Sequence, residues 1–335
     1  MTKALCVGSG SSSGDVVKSR KALAFPDKND IRMAREMDRK ARRTQLVLKV
    51  LAVLLLLAGI GVVSYPFVAQ YITAMSQSRQ SDLSASQVAG WPYPRAKEAL
   101  EAADQYNHRL ALSGQPVMGQ SVDPFSSQKS DGQSAEERDH DYQTILDQGG
   151  GVMGSIVIPK ISVNIPIFHG TSEKALAAGA GHLYGTSLPV GGPSTHSVIT
   201  GHRGMVQALM FTRLDEMKKG DTFYVKTMGK TIGYKVDRIN VIDPQDTSRL
   251  KIERGTDRIT LMTCTPYGIN THRLLVSGVR SEIPNVIPAP ENAGPDFVLL
   301  MALVALVALV VLAVVAFLRS RRAPLLARHA RDEKR

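Results

Sequence analysis

The sequence predicts a mainly β domain, a sandwich or barrel of short strands, held outside a membrane between two apolar helices. Three observations carry that expectation. The stretch 297–318 runs for 22 residues without a charge or a proline. Basic residues crowd beside this stretch and beside a second apolar run near the N-terminus. Between the two, from Gly154 onward, short β-branched runs alternate with turns rich in Gly, Asp and Pro.

Charge placement removes one broad class of function. A net charge of +11 over 335 residues first suggests a binder of nucleic acid or another polyanion. Residues 1–72, however, hold 12 Lys/Arg against 5 Asp/Glu, and residues 297–335 hold 7 against 2. The middle, 73–296, holds 22 against 23. A near-neutral middle offers no broad electrostatic footprint, so nucleic acid is not an expected partner.

The lipid bilayer is. A helix over 297–318 is long enough to cross about 30 Å of hydrocarbon. A core helix of that length would keep a polar face, and this run has none. Arg319, Arg321 and Arg322 follow at once, which places the C-terminus in the cytoplasm. The earlier run, from about 50 to 72, is preceded by Arg39, Lys40, Arg42, Arg43 and Lys49, and is interrupted by Pro66 and Gln70. It reads as an uncleaved signal anchor. A cleaved signal peptide is the competing reading, but the run is long for a signal core and lacks a small-residue cleavage site. Both basic flanks then point inward, giving a two-pass hairpin with one exported domain.

The expected divisions follow from these anchors: a disordered basic tail over 1–45, an N-terminal span over 46–72, and a helix and loop region over 73–149. A β domain over 150–283, a linker over 284–296, the C-terminal span over 297–318 and a basic tail over 319–335 complete the chain. Residues 94–112 are rich in helix formers, with Ala99, Ala103, Tyr106 and Leu110 at helical spacing. Gly114 and Pro116 end that helix. Residues 113–141 carry few apolar positions and read as a long exposed loop. In the β domain, Pro159 and Pro166 in the first alternating run suggest an edge strand or barrel rim. Further strands are expected over 196–200, 222–227, 232–241, 258–263 and 272–279. Short helices fit only at 172–180 and 208–217. Many short strands at close spacing favour a sandwich or barrel over a parallel α/β sheet.

The residues able to carry chemistry are few. Cys6 belongs to the tail, so Cys264 has no second exported cysteine with which to form an intrachain disulfide. Such a thiol is either reactive or a buried bystander. It ends the apolar run ITLMT and precedes a turn, Thr265-Pro266-Tyr267-Gly268, which puts it at the rim of the domain. A nucleophilic thiol needs an acid/base partner and a group to stabilise the developing oxyanion. Of seven histidines outside the tail, His202 and His272 stand out. His202 lies in TGHRG, after a β-branched run and between glycines. His272 lies on the strand after Cys264, next to Arg273, and neighbouring strand residues face opposite sides. Spacing alone leaves the choice of partner open. No CxxC, HExxH or helical His pair is present, so neither metal nor cofactor is expected.

These residues resemble a known family. TLMTCTPYGINTHRLLVSG (260–278) is similar to the sortase signature, in which TLxTC carries the nucleophile and an Arg on the next strand completes the site. THSVITGHRG (195–204) resembles the segment that supplies the sortase histidine. The resemblance covers roughly 150–280 and implies a sortase-like closed β-barrel with short helices. It implies Cys264 as nucleophile, His202 as general acid/base and Arg273 as stabiliser of oxyanion or substrate, with His272 pointing away.

Two features further resemble the pilus-assembling class C. One is the second span. The other is Asp123-Pro124-Phe125, which matches a lid motif in the loop ahead of the barrel. The resemblance implies that Asp123 pairs with Arg273 while Phe125 covers the thiol. It also implies cleavage of LPXTG-type signals between Thr and Gly through a thioacyl-enzyme. The partners are then LPXTG-bearing pilin or surface proteins, with a pilin lysine as the accepting amine, on the outer face of a Gram-positive-type membrane. Three rivals stay open: a housekeeping sortase using a cell-wall precursor amine, a Cys/His peptidase, and a non-catalytic membrane scaffold. The chain is not itself a sorting substrate, because no LPXTG precedes 297.

Overall fold

The computed structural model describes residues 27–92, 94–116 and 135–284, with isolated further positions at 287 and among 305–313. The lid residues Asp123, Pro124 and Phe125, residues 1–26 of the N-terminal tail, the C-terminal tail and most of the span 297–318 lie outside the described residues. The chain divides into two compact units between Gly59 and Ile60.

Helix α1 (Lys28–Ala89) begins well inside the segment expected to be a disordered tail. Residues 28–45 are rich in Arg, with Lys, Met and Ala, and they extend an apolar helix whose nucleation cost is already met. Among the described residues, α1 is the one helix long and apolar enough to cross a membrane. It runs through Pro66 and Gln70, and its 62 residues absorb the backbone hydrogen bond that a proline removes.

In the second unit, helix α2 (Arg95–Ser113) matches its expected span and stops at Gly114, whose φ of 73° no β-carbon opposes. Of its expected inner stripe, Ala99, Ala103 and Tyr106 pack on the main core, while Leu110 stays half-buried outside it. Asn107 adds a clamp: its amide donates to Leu188 O at 3.0 Å and accepts from Leu188 N at 2.7 Å.

The loop expected over 113–141 is structured at its end. Short helices α3 (Ala135–Arg138) and α4 (His140–Thr144) form there, with Asp139 capping Tyr142 N at 3.0 Å. Tyr142 is fully buried, and its hydroxyl accepts from Gly170 N at 2.8 Å. A single buried tyrosine with polar partners orders a segment whose composition reads as loop.

Eight strands then close a barrel: β1 (Val152–Ile158), β2 (Val163–His169), β3 (Ala180–His182), β4 (Thr195–Thr200), β5 (Thr222–Thr227), β6 (Lys230–Ile242), β7 (Asp257–Thr265) and β8 (His272–Ser281). Their order around the barrel is β1-β2-β3-β4-β7-β8-β6-β5. The β2–β3 and β4–β7 pairs are parallel and the others antiparallel. Closure leaves no edge strand, and Pro166 sits just ahead of Ile167, where pairing with β3 begins. The core is filled from most of the strands, by Ile156, Phe223, Tyr234, Ile259, Leu261 and Val276 among others.

Helix α5 (Glu173–Ala178) occupies most of 172–180, capped by Ser172. The helix expected over 208–217 does not form. Met210 takes a φ of 39°, and Phe211 N bonds to His202 O at 3.1 Å, leaving one 3-10 turn at Leu214–Glu216.

Two buried histidines serve the frame. His182 lies with Nε2 2.8 Å from Ser187 O, so that nitrogen carries the proton and Nδ1 accepts from Tyr142 Oη at 2.9 Å. His196 donates from Nδ1 to Lys251 O at 2.8 Å and accepts at Nε2 from Thr260 Oγ1 at 2.7 Å. Burial pushes both imidazoles down to about 4, against partial compensation from their carbonyl partners. An unfolded chain takes up protons at these rings near pH 6.5, which the folded chain refuses until about pH 4. Their contribution is therefore complete above pH 6.5 and lost as pH falls toward 4, at about 3 kcal/mol per ring. Thermal melts of the full-length protein in detergent are expected to drop steeply between pH 6.5 and 4. A flat profile there would contradict the neutral, buried assignment.

Candidate active site

The site is built by register. Cys264 on β7 stands directly opposite Arg273 on β8, and Arg273 stands opposite Ile242 on β6. Directly paired residues project to the same face of a sheet. On the other side of β7, the parallel ladder pairs Thr200 with Met262 and continues through Gly201 N to Met262 O at 3.0 Å. His202 is the next residue, so the strand carries it toward the level of Cys264. Four neighbouring strands thus bring His202, Cys264, Arg273 and Ile242 to one end of the barrel wall. His272 is paired with Thr265, on the opposite face, where it is exposed near Asp243.

Alternation along β7 explains the signature. Ile259 and Leu261 enter the main core, whereas Met262 belongs to a separate cluster with Leu183, Val198, Ile242, Leu250 and Leu275. That second cluster lies on the face shared by Cys264 and forms an apolar floor beside it. Thr263 faces the other way and donates to Gly201 O at 2.7 Å, fixing the end of β4. Thr260 joins His196 and Ser277. Each threonine in TLMTC is therefore a strut, and the cysteine shares its face with Arg273 and the second cluster.

Cys264 and Arg273 are both 4% exposed. The Arg273 guanidinium is held in place through Nη1, which donates to Asn270 O at 3.0 Å and His272 O at 2.8 Å. His202 is half-buried, and desolvation lowers its pKa, with Glu173 pulling the other way. Desolvation thus favours the neutral imidazole.

Sequence reasoning passed over Arg203. Its buried guanidinium donates through Nη1 to Thr265 Oγ1 at 3.2 Å, pairs with Asp215, and lies 5.8 Å from the Tyr267 ring centroid. It ties the loop after His202 to the turn after Cys264. Gly204, at φ 82°, lets that loop lie against the same ring: a β-carbon there would come within 3.3 Å of it. The motif TGHRG displayed this arginine, but only the fold shows what it reaches. Among the described residues no three His, Cys, Asp or Glu side chains converge as metal ligands would.

Comparison with known proteins points one way. A family model described as Sortase domain matches residues 156–281. Sortase D of Bacillus subtilis (strain 168) is 29% identical over 134 residues, covering 39% of this chain and 65% of that protein. Sortase A of Streptococcus agalactiae is 29% identical over 117 residues, covering 34% and 47%. The chain thus spans about half to two thirds of the length of these curated relatives. Among solved structures, Sortase C1 of GBS Pilus Island 1 is 38% identical, covering 63% of this chain and 95% of that one, with a TM-score of 0.55. A Streptococcus pneumoniae Sortase C, described with pilin substrate specificity, is 37% identical over 62% and 100%, with a TM-score of 0.54.

Proposed function

The chain belongs to the sortase family of cysteine transpeptidases, and from that premise we propose that it polymerises pilins by two-step acyl transfer at Cys264. The observation that supports this most is the pairing of Cys264 with Arg273 on one buried face. In the first step Sγ attacks the Thr–Gly carbonyl of an LPXTG-type signal. Neutral His202 takes the thiol proton and delivers it to the departing glycine amine as the C–N bond breaks. Arg273 stabilises the negative oxygen of the tetrahedral intermediate. In the second step a lysine amine of another pilin attacks the thioester, His202 removes its proton, and the thiol is regenerated.

Asp123, Pro124 and Phe125 act in this reading as a lid over the thiol, released before substrate enters. The protein works on the outer side of a Gram-positive-type membrane, with two spans and cytoplasmic ends.

The test is mass spectrometry of the full-length protein with an LPXTG peptide, with and without an amine acceptor. An acyl adduct on Cys264, resolved into amide product by a pilin-lysine peptide, is expected. Preference for a cell-wall amine would replace pilin polymerisation with wall attachment, and acid product at an unchanged rate would make the protein a peptidase.

Arg203 is a positioning residue in this scheme. Arg203→Met is expected to lower kcat by about 10- to 100-fold while KM changes little, because misplacement by a fraction of an ångström penalises the reacting geometry. Steady-state kinetics of peptide cleavage check this, and a change confined to KM would count against it.

A further inference from the structure

The loops on either side of the cleft end in bare apolar tips. Val206, four residues after His202, is 61% exposed, and Tyr267 and Ile269, just after Cys264, are 60% and 67% exposed. These tips adjoin each other through the packing of Gly204 on the Tyr267 ring. They also adjoin helix α1. Gln70 Nε2 donates to Val206 O at 3.2 Å, and Gln207 Nε2 donates to Tyr65 Oη at 3.5 Å.

Tyr65 and Gln70 belong to the last third of the apolar run 50–72. Around them Val62, Val68, Tyr71 and Ile72 are exposed on α1. Hydrogen bonds at Gln70 and Tyr65 therefore join this exposed helix stretch to the loop after His202, which itself lies against Tyr267. Exposed tyrosines stand at 65 and 71 on the helix and at 267 on the loop after Cys264, and tyrosine concentrates where hydrocarbon meets headgroups.

We propose that Val206, Tyr267 and Ile269 seat in the headgroup boundary of the lipid bilayer, so that the mouth of the cleft is held against the membrane surface. Lipid is the occupant because the loop after His202 is joined to exposed apolar residues of a helix long and apolar enough to cross a membrane. A polar-faced protein partner would leave the exposed α1 side chains uncovered. Insertion of this kind is carried by apolar area rather than by charge. The inference depends on α1 crossing the bilayer and not on the acyl-transfer reading.

The experiment uses the full-length chain in phosphatidylcholine vesicles with brominated acyl chains. Trp91 is the sole tryptophan, so Trp91→Phe gives a silent background. Val206→Trp and Ile269→Trp are then made separately, each checked for a cooperative thermal melt, so that misfolding of one leaves the other as the test. Arg254→Trp, exposed ahead of the opposite end of β7, is the reference. Quenching by bromolipid of about twofold or more at 206 and 269, and little at 254, is expected for interfacial depth. Quenching at 206 and 269 no greater than at 254 overturns the proposal, whether the tips then face water or another protein.

Discussion

Cys264→Ala is expected to abolish the acyl adduct and to lower turnover of an LPXTG peptide by roughly 10⁴- to 10⁶-fold, the scale on which loss of a nucleophile acts. The side chain is buried among β7, β8 and the apolar cluster, so the smaller residue leaves at most a small void. The loss of a sulfur from such a site is worth only about 1–2 kcal/mol of stability. Activity and stability should therefore separate widely: product formation vanishes while the melting curve moves by a few degrees. Cys264→Ser sharpens the result, since the hydroxyl keeps shape and polarity but is a far weaker nucleophile at neutral pH. Substantial pilus polymer or peptide product from either variant would remove the thiol from the chemistry and favour a scaffold.

The next largest effect is expected at Arg273. Arg273→Ala should reduce kcat by about 10²- to 10³-fold, as loss of an oxyanion-stabilising donor does. A second consequence comes from burial. The guanidinium is anchored by Asn270 O and His272 O, and truncation leaves the turn between β7 and β8 without those bonds. Arg273→Lys restores the charge but not the planar fork, so recovery should be partial. Single-turnover kinetics distinguish the cases: slowed acylation with substrate binding retained is the expected pattern. An alanine variant that acylates normally would leave Arg273 with a structural role only.

Much of this was legible because the decisive residues are local signals. Cys264 at a strand end, the TGHRG turn and the apolar run within α1 are read directly from neighbouring residues. Choosing between His272 and Arg273 needed the register, since strand alternation says that they diverge but not which one faces the thiol. Pairing of Cys264 with Arg273 supplies the answer. Features built from distant contacts stayed hidden. Ile242 reaches the site only through pairing with Arg273, and Arg203 only through Thr265 and Asp215. β3 is three small or polar residues that become a strand because β2 and β4 flank them. The stretch 208–217 is composed of good helix formers, yet it spends Phe211 on covering Gly201, where a β-carbon would come within 2.7 Å of the ring. Tertiary demand overrode local propensity there.

The parallel joint between β4 and β7 has a consequence for the order of events. It unites residues 62 apart in the chain, and the loop between them must be closed before His202 and Cys264 share a wall. Contacts of such long sequence separation are assembled late in folding. A chain whose β7 has not yet docked on β4 therefore holds Cys264 apart from His202.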